Sequence, residues 1–242
     1  MELTRWYAPV SISDQERGVA VDAQIIGLTG SIGSGCSYVA KEILKPLGYE
    51  FASLSKKLKE EYSPPTGTDQ SGLRRAYQDF GDKRRKEEGN NYFARLVCDE
   101  IKAATEENGS QKWIVDSIRN PDEVHWLRKQ FPDSFFLFGV YATKDLRWKR
   151  KETDYGGNKR SFDEDDERDT GRTSDKHGQR VEDCFAEADV VFSNEEDFRG
   201  ADGEPFDLFA GKVKSYVDLV SDPHSRRQPK QAETLMAAAY TV

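Results

Sequence analysis

Ile25-Ile26-Gly27-Leu28-Thr29-Gly30-Ser31-Ile32-Gly33-Ser34-Gly35-Cys36-Ser37 is the stretch that decides the fold. Its first half is a short apolar run of the kind that forms a strand buried on both faces. Three glycines then crowd a turn. Beyond them Val39, Ile43, Leu44 and Leu47 form a helical stripe. Strand, glycine-rich turn and helix follow the phosphate-loop pattern G-x-x-x-x-G-K-[ST], with matching spacing, both outer glycines and the final hydroxyl. Glycines let consecutive backbone N–H groups turn toward one anion, and the helix N-terminus adds its positive end.

Gly30, Ser31, Gly33, Ser34, Gly35, Cys36 and Ser37 are therefore the expected phosphate contacts. The expected ligand is a nucleoside triphosphate with Mg²⁺, to which Ser37 offers its hydroxyl. Cys36 stands where the pattern has lysine, the residue that brings a cation to the β- and γ-phosphates. Two outcomes stay open: binding without phosphoryl transfer, or transfer with an arginine from elsewhere as the cation. The position at a helix N-terminus also predicts a lowered thiol pKa and an oxidisable Cys36.

Working outward, four more short apolar runs lie at Tyr49–Ser53, Trp113–Asp116, Phe135–Tyr141 and Ala188–Ser193. Between them, helical spacing recurs at Leu73, Tyr77, Phe80 and Arg84, and at Phe93, Val97 and Ile101. Strands alternating with long helical crossovers predict an α/β fold with a five-stranded, mostly parallel sheet flanked by helices.

Asp116 ends the run Trp113-Ile114-Val115, at the sheet edge where open α/β folds bind ligands. It reads as a Mg²⁺ ligand or proton acceptor, or as a turn-capping residue before Pro121. Arg119 reads as a phosphate partner or a surface charge. Arg147 and Arg150 share one helix face and lead into a polar stretch with Arg160, Arg168 and Arg172. Such a segment closes over a nucleotide as a lid, or is merely solvated. Residues 151–179 hold little to bury, and six of the seven residues from Asp163 to Asp169 are acids. Arg74, Arg84 and Arg85 read as contacts to an acceptor monophosphate or as an exposed helix face.

The 242-residue chain carries 44 acids and 36 bases, a net charge of −8, which argues against bulk binding to duplex nucleic acid. No apolar run approaches the roughly 18 residues that span a membrane. The N-terminal residues lack the apolar block of a secretory signal. Three scattered cysteines fit a reducing cytoplasm. Residues 1–22 read as a loose arm, 23–220 as one domain and 221–230 as a linker broken by Pro223 and Pro229. Residues 231–242 begin another amphipathic helix and read as the start of a truncated second domain.

GLTGSIGSGCS, IVDSIRNPDEVHWLRKQFP and ATKDLRWKR resemble the nucleoside monophosphate kinase and dephospho-coenzyme A kinase branch of phosphate-loop proteins. A closer likeness rests on ASLSKKLKEE, AYQDFGDKRRKEEGNNYFARL, DERDTGRTSDKHGQRVEDCFAEADVVFSN and QAETLMAAAY. These resemble the N-terminal half of bacterial two-domain deoxycytidylate-deaminase-like proteins implicated in phage defence. The resemblance implies a kinase-like, nucleotide-binding regulatory domain, a zinc-dependent deaminase domain as its partner, and an oligomer. Zinc deaminase chemistry uses H-x-E and P-C-x-x-C segments, and neither occurs in this chain. His125, His177 and His224 are scattered, so the resemblance assigns zinc to no position here.

Overall fold

The computed structural model describes residues 23–67, 70–109, 111–171, 176–195 and 204–221. The arm, Arg172, and the linker and final helix beyond Ser221 lie outside them. Five strands form one sheet: β1 (Gln24–Thr29), β2 (Glu50–Ser53), β3 (Lys112–Ile118), β4 (Phe135–Tyr141) and β5 (Val190–Ser193). Their order is β2-β3-β1-β4-β5, and every neighbouring pair is parallel. The expected five-stranded α/β sheet is present. β3 runs longer than the apolar run alone indicated, because Lys112, Ser117 and Ile118 join the ladder.

Alternation along β1 splits the core into two layers. Ile25 points to one face, against Phe93, Val97 and Ile101 of α4 (Tyr92–Asn108) and Val124 and Leu127 of α5 (Pro121–Gln130). Ile26 and Leu28 point to the other, against Val39, Ile43 and Leu44, with Val213 and Val217 of α9 (Glu204–Ser221). Burying both faces of a parallel sheet is the main apolar driving force of such a fold. Gly27 lets the layers close, since a Cβ there would lie 2.7 Å from Ile118 and from Phe135.

The helix after the glycine turn is irregular. It begins as α1 (Cys36–Tyr38), widens into a π-helical stretch over Val39–Leu44, and tightens to a 3₁₀ turn over Lys45–Leu47. Three helices lie between β2 and β3, namely α2 (Leu54–Glu61), α3 (Gln70–Glu88) and α4. Following β4 are α6 (Lys144–Lys151), α7 (Lys159–Thr170) and α8 (Val181–Ala186).

The polar stretch is the chief departure from the sequence reading. Residues 159–170 form α7 rather than a solvated loop, and Asp165, Asp166 and Asp169 are all buried. Helical spacing puts these three acids on one face, each facing a cation or N–H group, and that pairing is what permits their burial.

Candidate nucleotide and acceptor site

The phosphate loop leaves β1 at the centre of the sheet, between the ends of β3 and β4, where the strand order reverses. Ligands in open α/β sheets bind at that switch point. Gly33 and Gly35 adopt φ of 82° and 112°, left-handed values that cost a residue with a Cβ. At Gly30 a Cβ would lie 2.6 Å from the Val140 carbonyl and 2.7 Å from Cys36 Sγ. The three glycines thus serve backbone turning and close approach, as the pattern requires.

β3 ends in a bulge. Gly27 pairs with Val115 and Thr29 with Ile118, so β3 carries one residue more than β1. Ser117 takes up the irregularity at φ 68°, and it is the one non-glycine residue with positive φ among those described. Strain of this kind gathers at functional sites. The Thr29 hydroxyl fixes the end of the bulge by donating to the Ile118 carbonyl at 3.0 Å.

Two cavities open at this edge. One, of about 410 Å³, is lined by the phosphate loop with Asp116, Arg119 and Arg150. The other, of about 560 Å³, is lined by Leu58, Lys59, Tyr77, Gln78, Arg85 and Phe93, among others. They share Ser37, Arg74, Asp116, Ser117 and Arg119 and form two lobes of one cleft. In the second lobe Gln78 is buried and donates its amide to Gln179 at 3.0 Å. Its Oε1 is buried without a hydrogen-bond partner. Arg85 is held by Glu123, whose Oε1 accepts from Nε at 3.1 Å and Nη2 at 2.9 Å.

The structure brings Ser37, Asp116 and Arg119 together at the junction, with Cys36 lining the first lobe. It gives the two predicted lid arginines a different place. Arg147 is buried behind the loop, donating to the Ile32 carbonyl at 3.1 Å and pairing with Asp166. Arg150 reaches the cleft but donates to the carbonyls of Gly33, Ser34 and Asn194. Both brace the loop from its carbonyl side. Arg160 pairs with Glu164 on the exposed face of α7, and Arg168 pairs with Asp79 and Asp82. Arg84 lies over Phe80 and Tyr92 and pairs with Glu61.

The expectation for the Cys36 thiol is overturned. Burial pushes its pKa up to about 12, and the negative charge of Asp116 adds to the rise. Desolvation of a thiolate outweighs the helix end here, where the α-helical part is only three residues long.

Sequence reading missed Asp169 and Asn194. Asp169 is fully buried, accepts the Ile32 N–H at 3.0 Å and pairs with Arg119. Asn194, just past β5, donates Nδ2 to the Ser34 carbonyl at 2.7 Å. The acid-rich run was the signal for Asp169, but its helical phase had to be read to find the inward face. A polar residue straight after an apolar strand was the signal for Asn194.

Sheet order, switch-point loop and cleft define an α/β fold with a phosphate loop at its centre. No family model matches the chain. A UPF0200 protein of Methanothermobacter thermautotrophicus is 27% identical over 177 residues, 71% of this chain and 81% of the relative. A UPF0200 protein of Thermococcus kodakarensis is 30% identical over 130 residues, 52% of this chain and 65% of the relative. Among solved structures, shikimate kinase from Bacteroides thetaiotaomicron superposes with a TM-score of 0.48 at 12% identity, covering 81% of this chain and 99% of its own. A gluconokinase from Sinorhizobium meliloti gives 0.46 at 13% identity, covering 82% and 95%. No helix among the described residues is long and apolar enough to cross a membrane.

Proposed function

We propose that this chain binds a nucleoside triphosphate with Mg²⁺ on Gly30–Ser37 and passes the terminal phosphoryl group to a small anionic acceptor in the second lobe. The observation that supports this reading is the junction. Two cavities meet at Ser37, Asp116 and Arg119, so donor phosphate and acceptor oxygen face each other across one small region. Alignment of that kind is most of what phosphoryl transfer asks of a protein.

The second lobe suits a nucleoside monophosphate. Tyr77 offers a flat apolar wall, Lys59 offers a cation, and the unpartnered Gln78 Oε1 calls for an N–H donor on the ligand. The acceptor phosphate oxygen forms a bond to the terminal phosphorus as the bond from that phosphorus to the bridging oxygen breaks, and the donor leaves as a diphosphate. A phosphate monoester is already largely ionised at neutral pH, so no general base is needed. The Ser37 hydroxyl and the Asp116 carboxylate line one cavity and form a hard-oxygen pair of the type Mg²⁺ takes alongside substrate phosphates and waters. Bound there, the ion would neutralise phosphate charge.

One observation favours a second reading: the thiol of Cys36 occupies the lysine position. On that reading the domain senses a nucleotide without turnover, as the regulatory part of a deoxycytidine nucleotide deaminase whose zinc domain is its partner. A ³¹P NMR time course with Mg²⁺, ATP and mixed deoxynucleoside monophosphates separates the two. Growing ADP and new diphosphate signals mean transfer. Shifted triphosphate lines without product mean sensing. Unmoved lines would reject both.

A further inference from the structure

The loop lacks its lysine, yet a guanidinium stands on the facing wall of the same cleft. Arg119 lines both lobes and follows the strained bulge at Ser117. Its backbone N–H donates to Glu123 Oε2 at 2.8 Å, which fixes where the side chain starts. Its guanidinium pairs with Asp169, which fixes where it ends. Arg119 follows Asp116 by three residues at the same end of β3, and both line the cavity that Cys36 lines.

The other cations near the loop are committed elsewhere. Arg147 is bonded to the Ile32 carbonyl and Asp166, and Arg150 to the carbonyls of Gly33, Ser34 and Asn194. Lys151 pairs with Asp154 at 2.7 Å. Arg74 lies over Tyr155, 5.9 Å from the ring centroid, toward Asp165. A lysine at position 36 would set a second cation against the guanidinium, whereas a neutral thiol does not.

We propose that Arg119 supplies the β- and γ-phosphates with the cation that Cys36 cannot, and that Asp169 is the positioning residue that holds its guanidinium toward the loop. This rests on the phosphate-binding reading above. Arginine suits the task because its fork makes two parallel hydrogen bonds to phosphate oxygens.

The test is calorimetric titration of Mg-ATP into the full chain and its variants. Arg119→Ala should weaken binding roughly 10- to 100-fold, the range for charged hydrogen bonds. Cys36→Lys in that background should return affinity to within a few-fold of the parent. In the parent background, Cys36→Lys should gain far less, because Arg119 already fills the role. Asp169→Asn should weaken binding in the parent yet leave the Cys36→Lys, Arg119→Ala protein unchanged. A merely structural Asp169 would weaken both. If Arg119→Ala fails to fold with Asp169 unpaired, Arg119→Ala with Asp169→Asn replaces it, followed by circular dichroism, with the same loss and rescue expected. Parent-like binding by the Arg119→Ala protein, or an equal effect of Cys36→Lys in both backgrounds, overturns the proposal. A parent chain that binds no Mg-ATP overturns the phosphate-binding reading itself.

Discussion

The carboxylate of Asp169 accepts the backbone N–H of Ile32 at 3.0 Å, joining the buried face of α7 to the tip of the phosphate loop. Its other oxygen holds Arg119. One side chain thus sets both the loop and the cation opposite it. Removing it leaves a buried N–H and a mostly buried guanidinium unsatisfied. Asp169→Ala is therefore expected to lower unfolding free energy by about 3 kcal/mol, read as a shift in the urea midpoint at constant slope. Asp169→Asn keeps an acceptor for Ile32 and should lose less. A loss below about 1 kcal/mol in the alanine variant would mean that α7 does not brace the loop.

The loop glycines allow a sharper separation of binding from folding. At Gly35 the φ of 112° and the nearby Asn194 side chain both oppose a Cβ. At Gly48, φ 86°, nothing lies within 4 Å of the position a Cβ would take. Gly35→Ala should abolish detectable Mg-ATP binding and cost at least about 1 kcal/mol, whereas Gly48→Ala should show only the backbone cost. Asn194→Ala removes the 2.7 Å bond to the Ser34 carbonyl and should cost about 1 kcal/mol with weakened binding. Calorimetry and thermal melts on the three variants check the pattern. Equal binding by the Gly35→Ala and Gly48→Ala proteins would contradict it.

The fold was legible because Ile25–Ser37 carries its own period change, from an apolar strand through glycines to a helical stripe. That Asp116 lines the cleft was legible for a local reason, an acid following the apolar run Trp113–Val115. Arg147 could not be placed from sequence. A guanidinium that bonds phosphate and one that bonds the Ile32 carbonyl look alike until the loop is folded around them. Asp169 lay hidden for a different reason. In a run of acids, composition signals solvent, and only the helical register of α7 separates buried Asp165, Asp166 and Asp169 from outward Asp163 and Glu164. The rise in the Cys36 pKa depends on burial and on Asp116, a residue far away in sequence.

That rise has a directional consequence. Burial and the Asp116 carboxylate both disfavour the thiolate, so Cys36 stays protonated at neutral pH and well above it. Cys98, also pushed up to about 12 by burial, shares this behaviour. Labelling of the native chain by a thiol-reactive disulfide should be slow at neutral pH for both cysteines. Asp116→Asn removes one cause of the rise at Cys36, lowering its pKa and quickening its labelling, with Cys98 unaffected. Mass spectrometry of labelled peptides reads each site separately. Rapid labelling of half-buried Cys36 at neutral pH in the parent chain would count against its raised pKa. Both folded pKa values lie above the ordinary value of 9.0, so each group's stabilising contribution is complete below about pH 9 and declines as pH rises toward 12.

Glu123 ties the second lobe to the first. It is fully buried, and Oε1 accepts from Arg85 while Oε2 accepts the N–H groups of Arg119 at 2.8 Å and Asn120 at 3.1 Å. The last of these closes the capping box of α5, in which Asn120 and Glu123 satisfy each other's backbone donors and Pro121 fills the first turn. Glu123→Gln offers an amide where donors already point, and it leaves buried Arg85 with only the longer pair to Asp82, at 3.5 Å, as countercharge. The expected loss is about 3 kcal/mol. Adding Arg85→Met removes the stranded charge and should recover most of that loss, leaving a capping deficit of about 1 kcal/mol. The double variant should therefore be more stable than Glu123→Gln alone. In a transfer assay it should raise the acceptor KM more than the ATP KM, since Arg85 lines only the second lobe. If both KM values rise together, Glu123 acts chiefly through Arg119, and the two lobes are then coupled through the N-terminus of α5.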